Sequence, residues 1–233
     1  QHYDSNMSGV FFDVLNMRKP DYNLEIGAYG KEHFYQTADV SIRAIELLRK
    51  EAIYPDIILF LGDSNSVTSA VALKKEGYRI GHIEAGMRAY AKYMPEEINR
   101  IVCDHCSDYH FAYHPNYKNN LLKEGLPEKN IFVVGNTIVE PCRQFYEKFC
   151  AGHKKTNDYI LMDIHRHNNI ISEQRLRRIL EYANLCIKKY GLPVKFLKFN
   201  RTFESLRKFG ISLGNVEAVE LMSYIQYVKA QYH

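Results

Sequence analysis

The stretch DIILFLGDSNSVTSAVALKKEGYRIGHIEAG, residues 56–86, decides the fold. Its opening segment, Asp56–Leu61, is an apolar run that is typical of a strand buried in a parallel sheet. The segment Ser66–Glu76 then has the composition of a helix, and Gly77 closes it. A second strand is predicted at Tyr78–Ile83. Strand, helix and strand in this order predict a parallel β–α–β unit, because parallel neighbours need a crossover connection.

The same alternation continues along the chain and divides it in two. Repeated strand–helix units with apolar strands predict an α/β protein with parallel sheets. The polar segment 151–158 (AGHKKTND) predicts a linker between an N-terminal domain, residues 1–150, and a C-terminal domain, residues 159–233. Both are predicted to be doubly wound, Rossmann-like domains, the second of them incomplete. The other predicted elements are helices at Ser41–Lys50, from Pro95 onward, and at Asn116–Glu124, Val139–Phe149, Ser172–Tyr190, Thr202–Phe209 and Ser223–Tyr232, and strands at Asp108–Tyr113, Ile131–Val134, Tyr159–Met162, Val194–Leu197 and Val216–Val219.

Composition and charge restrict the classes of function. The chain has 233 residues, of which 46% are apolar and 25% charged, as in ordinary globular proteins. A net charge of +4, spread along the sequence, favours an anionic small molecule over nucleic acid as the partner. The five irregularly spaced cysteines predict a reducing, cytoplasmic compartment. No apolar run approaches membrane-spanning length and no signal peptide opens the chain, so no membrane association is expected.

The sequence gives little sign of a metal or a redox cofactor. Cys103 and Cys106 form a CxxC motif beside His105, which makes a zinc site one alternative. Because the motif lies in a helical stretch and no second CxxC follows, we interpret these residues as buried helix positions. No G-x-G-x-x-G motif is present, so a nicotinamide cofactor is not expected.

Four ionisable side chains stand where a ligand of parallel sheets would bind. Asp63 follows the first strand, Glu84 follows the second, and Glu96 lies in the first turn of the next helix. His165 follows a strand of the C-terminal domain, in DIHRHNN. Because ligands bind at the carboxyl ends of such strands, we expect these four side chains to meet on one rim, facing the gap between the domains.

Each of these residues also has a purely structural interpretation. Asp63 could cap a helix, Glu84 could bind backbone amides in a turn, and His165 could be an ordinary loop histidine. Glu96 or the adjacent Glu97 could serve only to stabilise the helix dipole. We interpret Glu97 as the residue with this purely structural role. Four ionisable groups crowded in one cleft cost free energy, which favours a catalytic site.

Several motifs, taken in order, resemble those of one enzyme family. The chain is similar to the UDP-N-acetylglucosamine 2-epimerases, of the non-hydrolysing type. The resemblance implies a GT-B-type fold of two Rossmann-like domains with a UDP-sugar between them, and a homodimer. Family members begin earlier and continue further, so the first strand and loop and the C-terminal part are expected to be missing from this chain. The matching segments are GDSNS, HIEAGMR, MPEEINR, GNTIVEP and HRHNN, together with the opening QHYDSNMSGVFFDVL and KPDYNLEI.

The resemblance implies a mechanism that needs no cofactor. UDP is eliminated across C1–C2 of the sugar to give a glycal, and is added back after a proton reaches the other face. The resemblance makes Asp63, Glu84 and Glu96 the acid/base set, without assigning the base. It places His165 beside the departing diphosphate. The remaining roles that it implies are charge balance between the acids for Arg88, uracil and ribose contacts for Met222 and Tyr227, and a regulatory UDP-sugar site for Gln1 and His2.

Departures from the family pattern predict a divergent subfamily. Ala91 stands where many relatives carry an acid, Asn168 where they carry a glutamate, and LKFNRTF around Phe199 replaces a His-Pro segment. Three alternatives remain open at this point. The protein could be a hydrolysing 2-epimerase, an epimerase of a UDP-diacetamido sugar, or a truncated, non-catalytic binding or scaffold remnant.

Overall fold

The apolar runs of the sequence form the strands of two parallel sheets. The computed structural model describes residues 12, 17–26, 32–152, 154–156 and 158–232, with the backbone alone at 167–168. Contacts divide the chain into two units, Gln1–Val139 and Glu140–His233. The predicted α/β class with parallel sheets is therefore confirmed.

The first unit contains a four-stranded sheet whose described strands follow chain order, β1-β2-β3-β4. Every neighbouring pair is parallel. The strands are β1 Ile58–Leu61, β2 Ile80–Ile83, β3 Tyr109–Ala112 and β4 Ile131–Val133. The helices are α1 His33–Lys50, α2 Ala70–Lys75, α3 Pro95–Cys106 and α4 Pro115–Lys123, with 3₁₀ turns at Asn65–Ser69 and Glu128–Asn130.

Local sequence explains where the helices of this unit begin. Pro95 occupies the first turn of α3, where its missing N–H is not needed. The predicted helix 66–76 differs in detail, because it starts as the 3₁₀ turn Asn65–Ser69 before continuing as α2. The core that joins α2 and α3 to the sheet consists of buried Val67, Ala70, Leu73, Ile80 and Cys103.

The CxxC motif belongs to this core. Cys103 is fully buried, and Cys106 is partly buried against the same cluster. The interpretation of both residues as packed helix positions matches their places on α3. None of the helices in the described residues combines the length and apolar character needed to cross a lipid bilayer.

The second unit contains a three-stranded parallel sheet in the order β5-β6-β7. Ser172 caps α7 by accepting a hydrogen bond from the Arg175 amide at 3.3 Å, and Gly191 ends it with a φ of +67°. The strands are β5 Ile160–Met162, β6 Val194–Leu197 and β7 Glu217–Val219. The helices are α5 Val139–Phe149, α6 His167–Ile170, α7 Glu173–Tyr190, α8 Asn200–Lys208 and α9 Tyr224–Tyr232.

The boundary between the units differs from the predicted linker at 151–158. Helix α5 groups with the second unit, apart from its first residue. Its aromatic side chains explain this placement: Phe145 packs edge-on against Tyr224 at 5.0 Å between ring centroids, and Tyr146 packs against Tyr232 at 5.3 Å. The polar segment is a connection within the second unit, since α5 precedes it.

Candidate active site

Asp63 and Glu84 lie at the carboxyl ends of two neighbouring strands. β1 and β2 are parallel and pair Leu61 with Ile83, so the residues that follow them emerge side by side. Gly62, with a φ of +77°, turns the chain between β1 and Asp63. A Cβ atom at Gly62 would lie 4.0 Å from a carboxylate oxygen of Glu84. The Glu84 carboxylate therefore lies beside the turn that carries Asp63.

Glu84 adopts a backbone conformation that few side chains accept. Its φ is +78°, in the left-handed region that favours glycine. The Glu84 amide donates to the carbonyl of Phe111 at 3.0 Å, which ties the residue to the neighbouring strand β3. Strained residues of this kind cost about 1–3 kcal/mol and cluster at functional sites. The sequence holds a glutamate here although a glycine would fit more easily.

The two carboxyl groups have different electrostatic surroundings. Burial raises the pKa of Glu84, and the negative charge of Asp63 raises it further, while Arg100 and His82 oppose the shift. Asp63 forms an ion pair with the Arg100 guanidinium. Burial beside Asp63 therefore favours the protonated form of Glu84, whereas the Asp63 carboxylate faces a cation. Two carboxyl groups in different surroundings are suited to acid/base chemistry.

A cavity of about 330 Å³ brings Asp63 together with Glu96. Glu96 is exposed in the first turn of α3, and Glu84 is not among the lining residues. The amide group of Asn99 fixes the rim by donating to the carbonyl of Asp63 at 2.8 Å. Asn99 also donates to the side chain of Asn65 at 3.3 Å, and Asn65 in turn donates to Gln36 at 2.7 Å. The volume lies within the range of small-molecule sites, about 300–1,000 Å³.

A buried histidine lies beneath the two strand ends. His82 is fully buried on β2, with Nδ1 at 2.6 Å from Asp104 and Nε2 at 2.8 Å from the carbonyl of Gly62. Burial lowers the pKa of His82, but hydrogen bonds with Asp104 and Cys103 raise it more, to about 10. A positive charge is thus enclosed within reach of the Asp63 turn.

The second unit gathers a separate polar cluster. The Nδ1 atom of His165 lies 2.5 Å from a carboxylate oxygen of Asp163, and its ring lies 5.0 Å from that of Phe199. Burial raises the pKa of Tyr227, and the charge of Asp163 and a hydrogen bond with it raise it further. Asp163 and Tyr227 also line one cavity of about 500 Å³. Asp163 therefore contacts both His165 and Tyr227, two of the predicted site residues.

The remaining predicted positions have less structural detail. Met222 is partly buried between β7 and α9. Gln1 and His2 lie outside the described residues, as does the side chain of Asn168. Their implied roles in substrate binding and regulation stay predictions.

Comparison with known proteins gives the family. The sequence model of the family described as "UDP-N-acetylglucosamine 2-epimerase" matches residues 1–233. The chain belongs to the UDP-N-acetylglucosamine 2-epimerase family.

Individual relatives agree with the family model. A UDP-N-acetylglucosamine 2-epimerase of Methanococcus maripaludis is 37% identical over 98% of this chain and 65% of its own length. The solved structure of the Methanocaldococcus jannaschii UDP-GlcNAc 2-epimerase, in complex with UDP-GlcNAc and UDP, superimposes with a TM-score of 0.86 at 35% identity, covering 99% of this chain and 66% of that one. A UDP-2,3-diacetamido-2,3-dideoxy-D-glucuronate 2-epimerase of Pseudomonas aeruginosa is 33% identical over 98% of this chain and 64% of its own length.

Two statements follow from these relatives. The predicted family and its GT-B-type, Rossmann-like fold are confirmed. The chain spans about two-thirds of the length of the epimerases that it matches, with 65% of the Methanococcus protein covered.

Arg88 has a different place from the one that the family resemblance implied. It was expected to balance charge between the three acids, but its guanidinium is 1% exposed and pairs with Asp104 at 2.8 Å and Glu124 at 2.6 Å. The same Asp104 carboxylate accepts a hydrogen bond from the Gly86 amide at 3.1 Å, so Arg88 and the Gly86 turn are held by one side chain. Arg88 therefore stabilises the base of the loop, and its charge is already neutralised there.

Glu97 does more than serve a helix dipole, so that interpretation is wrong. Its carboxylate is 1% exposed and accepts hydrogen bonds from the backbone amides of Ala89 and Tyr90, the latter at 2.7 Å. Glu97 also contacts the Arg100 guanidinium at 3.3 Å. It fixes the loop between β2 and α3, because two amides of that loop depend on it.

Arg100 is a candidate site residue that the sequence analysis did not single out. It joins Asp63 to Glu97, and one buried nitrogen of its guanidinium, Nε, has no hydrogen-bond partner among the described residues. The available signal was the spacing of Glu97 and Arg100 in PEEINR, since residues three apart face each other on a helix. The family motif thus contains a buried cation as well as its acids.

The raised pKa of His82 predicts a pH-dependent stability. The value moves from 6.5 to about 10, so the stabilisation is complete below pH 6.5 and is lost as the pH rises toward 10. At about 1.4 kcal/mol for each pH unit, the expected loss in the free energy of unfolding is roughly 5 kcal/mol. Urea denaturation across this range measures it. The variant His82→Gln should lack this slope, and an equal slope in both proteins would contradict the assignment.

Proposed function

We propose that the whole protein interconverts UDP-N-acetylglucosamine and UDP-N-acetylmannosamine, as a step in making glycan precursors. The observation that carries this proposal is the pair Asp63 and Glu84, two carboxyl groups at adjacent strand ends, of which Asp63 faces the Arg100 guanidinium and Glu84 has a raised pKa. Family membership and the names of the most similar relatives support the same reaction.

The geometry favours Asp63 as the base and Glu84 as the acid. Asp63 faces Arg100 as a carboxylate and would accept the proton from C2 of the sugar. As C2–H breaks, a double bond forms between C1 and C2, and the C1–O electron pair leaves with UDP. Glu84 holds its proton to higher pH and would deliver it to the other face of C2. UDP then adds back to C1, so atoms and electrons balance without an oxidant or a cofactor.

The remaining site residues would contact the sugar and the leaving group during this proton transfer. Glu96 shares the cavity with Asp63, so it would contact the sugar as the third carboxylate. With Nδ1 held by Asp163, His165 would present Nε2 to the departing diphosphate. A hydrogen bond between this imidazole and the departing diphosphate would stabilise the leaving group.

The setting of the enzyme is part of the proposal. We infer a cytoplasmic protein that acts as a homodimer on a UDP-sugar, without a resident metal or redox cofactor. The described cysteines are all free, which supports a reducing compartment. The homodimer follows from the family resemblance, and light scattering of the whole protein tests it.

Turnover in deuterated water tests the reaction. The whole protein, incubated with UDP-N-acetylglucosamine, should give a mixture with UDP-N-acetylmannosamine, and the product should carry one deuterium at C2. Proton NMR follows both. Free N-acetylmannosamine with an equal amount of UDP would replace the proposal with the hydrolysing reaction. Turnover of a UDP-diacetamido sugar alone would change the substrate, and no turnover of either sugar would favour the non-catalytic alternative.

A further inference from the structure

The hydrogen bonds of His82 require both of its ring nitrogens to carry a proton. Nδ1 lies 2.6 Å from a carboxylate oxygen of Asp104, and Nε2 lies 2.8 Å from the carbonyl oxygen of Gly62. A carbonyl and an ionised carboxylate only accept hydrogen bonds. The other oxygen of Asp104 accepts from the Gly86 amide at 3.1 Å and pairs with the Arg88 guanidinium at 2.8 Å. Burial raises the pKa of Asp104, but the hydrogen bond with His82 and the charges of His82 and Arg88 lower it more, so Asp104 is ionised. His82 is therefore an imidazolium.

We propose that His82 is a permanently charged positioning residue, which holds the turn of Gly62 and Asp63 in place and acts electrostatically on the Glu84 carboxyl group. This inference rests on the proposed function, because it assigns His82 a part in the same proton transfer. His82 does not act on the substrate directly, since it is fully buried.

The hydrogen bond to Gly62 is the contact through which His82 positions Asp63, the candidate base. Gly62 immediately precedes Asp63, and its φ of +77° makes this the point where the chain leaves β1. On the far side of the imidazole, Asp104 belongs to α3, the helix that also supplies Arg100. The imidazolium thus connects α3 to the turn, and the Arg100 ion pair connects the same helix to Asp63. With the Asn99 hydrogen bond to the Asp63 carbonyl, three contacts from one helix position the carboxylate.

The charge of His82 also acts on the candidate acid. Burial and the charge of Asp63 raise the pKa of Glu84, and the charges of Arg100 and His82 limit the rise. The groups that face His82 are Asp104 and Cys103 from α3, Glu84 at the end of its own strand and the Gly62 carbonyl beyond β1. Loss of the imidazolium charge would therefore let the pKa of Glu84 rise further.

A second buried histidine provides a matched control. His110 lies directly beside His82 in the register of β2 and β3 and is 1% exposed. Its Nε2 atom lies 2.8 Å from the backbone carbonyl of Asp104, while Nδ1 has no hydrogen-bond partner among the described residues. His110 thus needs only one proton. The two residues share burial and a neighbour, but only His82 needs a charge.

The charge state is measured by nitrogen NMR of the histidine side chains. Between about pH 6.5 and about pH 9, where an ordinary histidine is mostly neutral, both nitrogens of His82 should remain protonated. His110 should show one protonated and one unprotonated nitrogen. A neutral His82 in this range would overturn the proposal. This measurement needs no turnover, so its result is independent of the proposed function.

The variant Asp104→Asn removes the charge and keeps the hydrogen bonds. The amide NH₂ can donate to Nδ1 of a neutral His82, whose Nε2–H still donates to Gly62, and the amide oxygen can still accept from Gly86 and Arg88. Carbon NMR of the Glu84 carboxyl group should show its titration midpoint at higher pH in this variant, and unchanged in His110→Gln. An unmoved midpoint in Asp104→Asn would overturn the electrostatic part.

The variant His82→Gln tests the positioning part, because glutamine cannot donate to both acceptors through opposite ends of the side chain. Misplacement of a catalytic group by about 1 Å costs about 10²-fold, so kcat should fall by about this factor with little change in KM.

In Asp104→Asn, the high-pH limb of the kcat profile should move to higher pH, and His110→Gln should keep the wild-type profile. Unchanged kcat in a folded His82→Gln would overturn the positioning role. If His82→Gln does not fold, the Asp104→Asn titration and pH profile decide. An inactive wild type would reject the proposed function, and the two NMR readouts would still decide the charge and its effect on Glu84.

Discussion

Replacing Asp63 with asparagine is expected to lower kcat of the whole protein by about 10³-fold, within the contribution of about 10²–10⁴-fold that a positioned base makes. The amide cannot accept a proton from C2, although its oxygen can still accept a hydrogen bond from Arg100. Asn99 holds the backbone carbonyl of residue 63, at 2.8 Å, so the turn itself should persist. The conversion of UDP-N-acetylglucosamine, followed by NMR in deuterated water, measures the loss.

A control for this variant lies at the other end of the same strand. Asp56 is exposed and precedes β1, whereas Asp63 follows it. The variant Asp56→Asn makes the same chemical change and should leave kcat unaltered. Full turnover by Asp63→Asn would show that this carboxylate is not the base, and circular dichroism would show whether a loss of activity reflects unfolding.

Replacing Gly86 with alanine is expected to lower the free energy of unfolding by about 3 kcal/mol, as the sum of two costs. The added Cβ would lie 2.3 Å from the carbonyl oxygen of Tyr117, a backbone atom that no change of rotamer can move. Gly86 also has a φ of +78°, which disfavours any side chain. Urea denaturation measures the loss.

Gly125 separates the two costs. Its φ of +83° is close to that of Gly86, but no atom lies within 4 Å of an added Cβ. The variant Gly125→Ala therefore carries only the conformational cost, about 1–2 kcal/mol. Equal losses in the two variants would show that the contact between Gly86 and α4 relaxes without penalty.

The sequence predicts the elements that depend on local pattern. The bounds of α5, Val139–Phe149, and of β6, Val194–Leu197, agree residue for residue with the predicted ones. The proximity of Asp63 and Glu84 also follows from the pattern, because each ends an apolar strand and neighbouring parallel strands end on one edge. A rule about sheet edges was sufficient to find them.

What the sequence did not reveal depends on contacts between distant residues. Arg88 was placed among the acids, but it pairs with Asp104 and Glu124, which lie far from it in the sequence. The role of His82 could not be read from HIEAG, because its partner Asp104 belongs to the following helix. The domain boundary was misplaced for a similar reason: the polarity of 151–158 is a local signal, whereas the packing of α5 is not.

Glu97 fixes the loop after β2 through hydrogen bonds to the backbone of that loop. Glu97 accepts hydrogen bonds from the backbone amides of Ala89 and Tyr90, so these bonds do not depend on which side chains the two positions carry. Substitution of the Ala89 or Tyr90 side chain should therefore leave the path of the loop unchanged as far as Glu96 at the cavity.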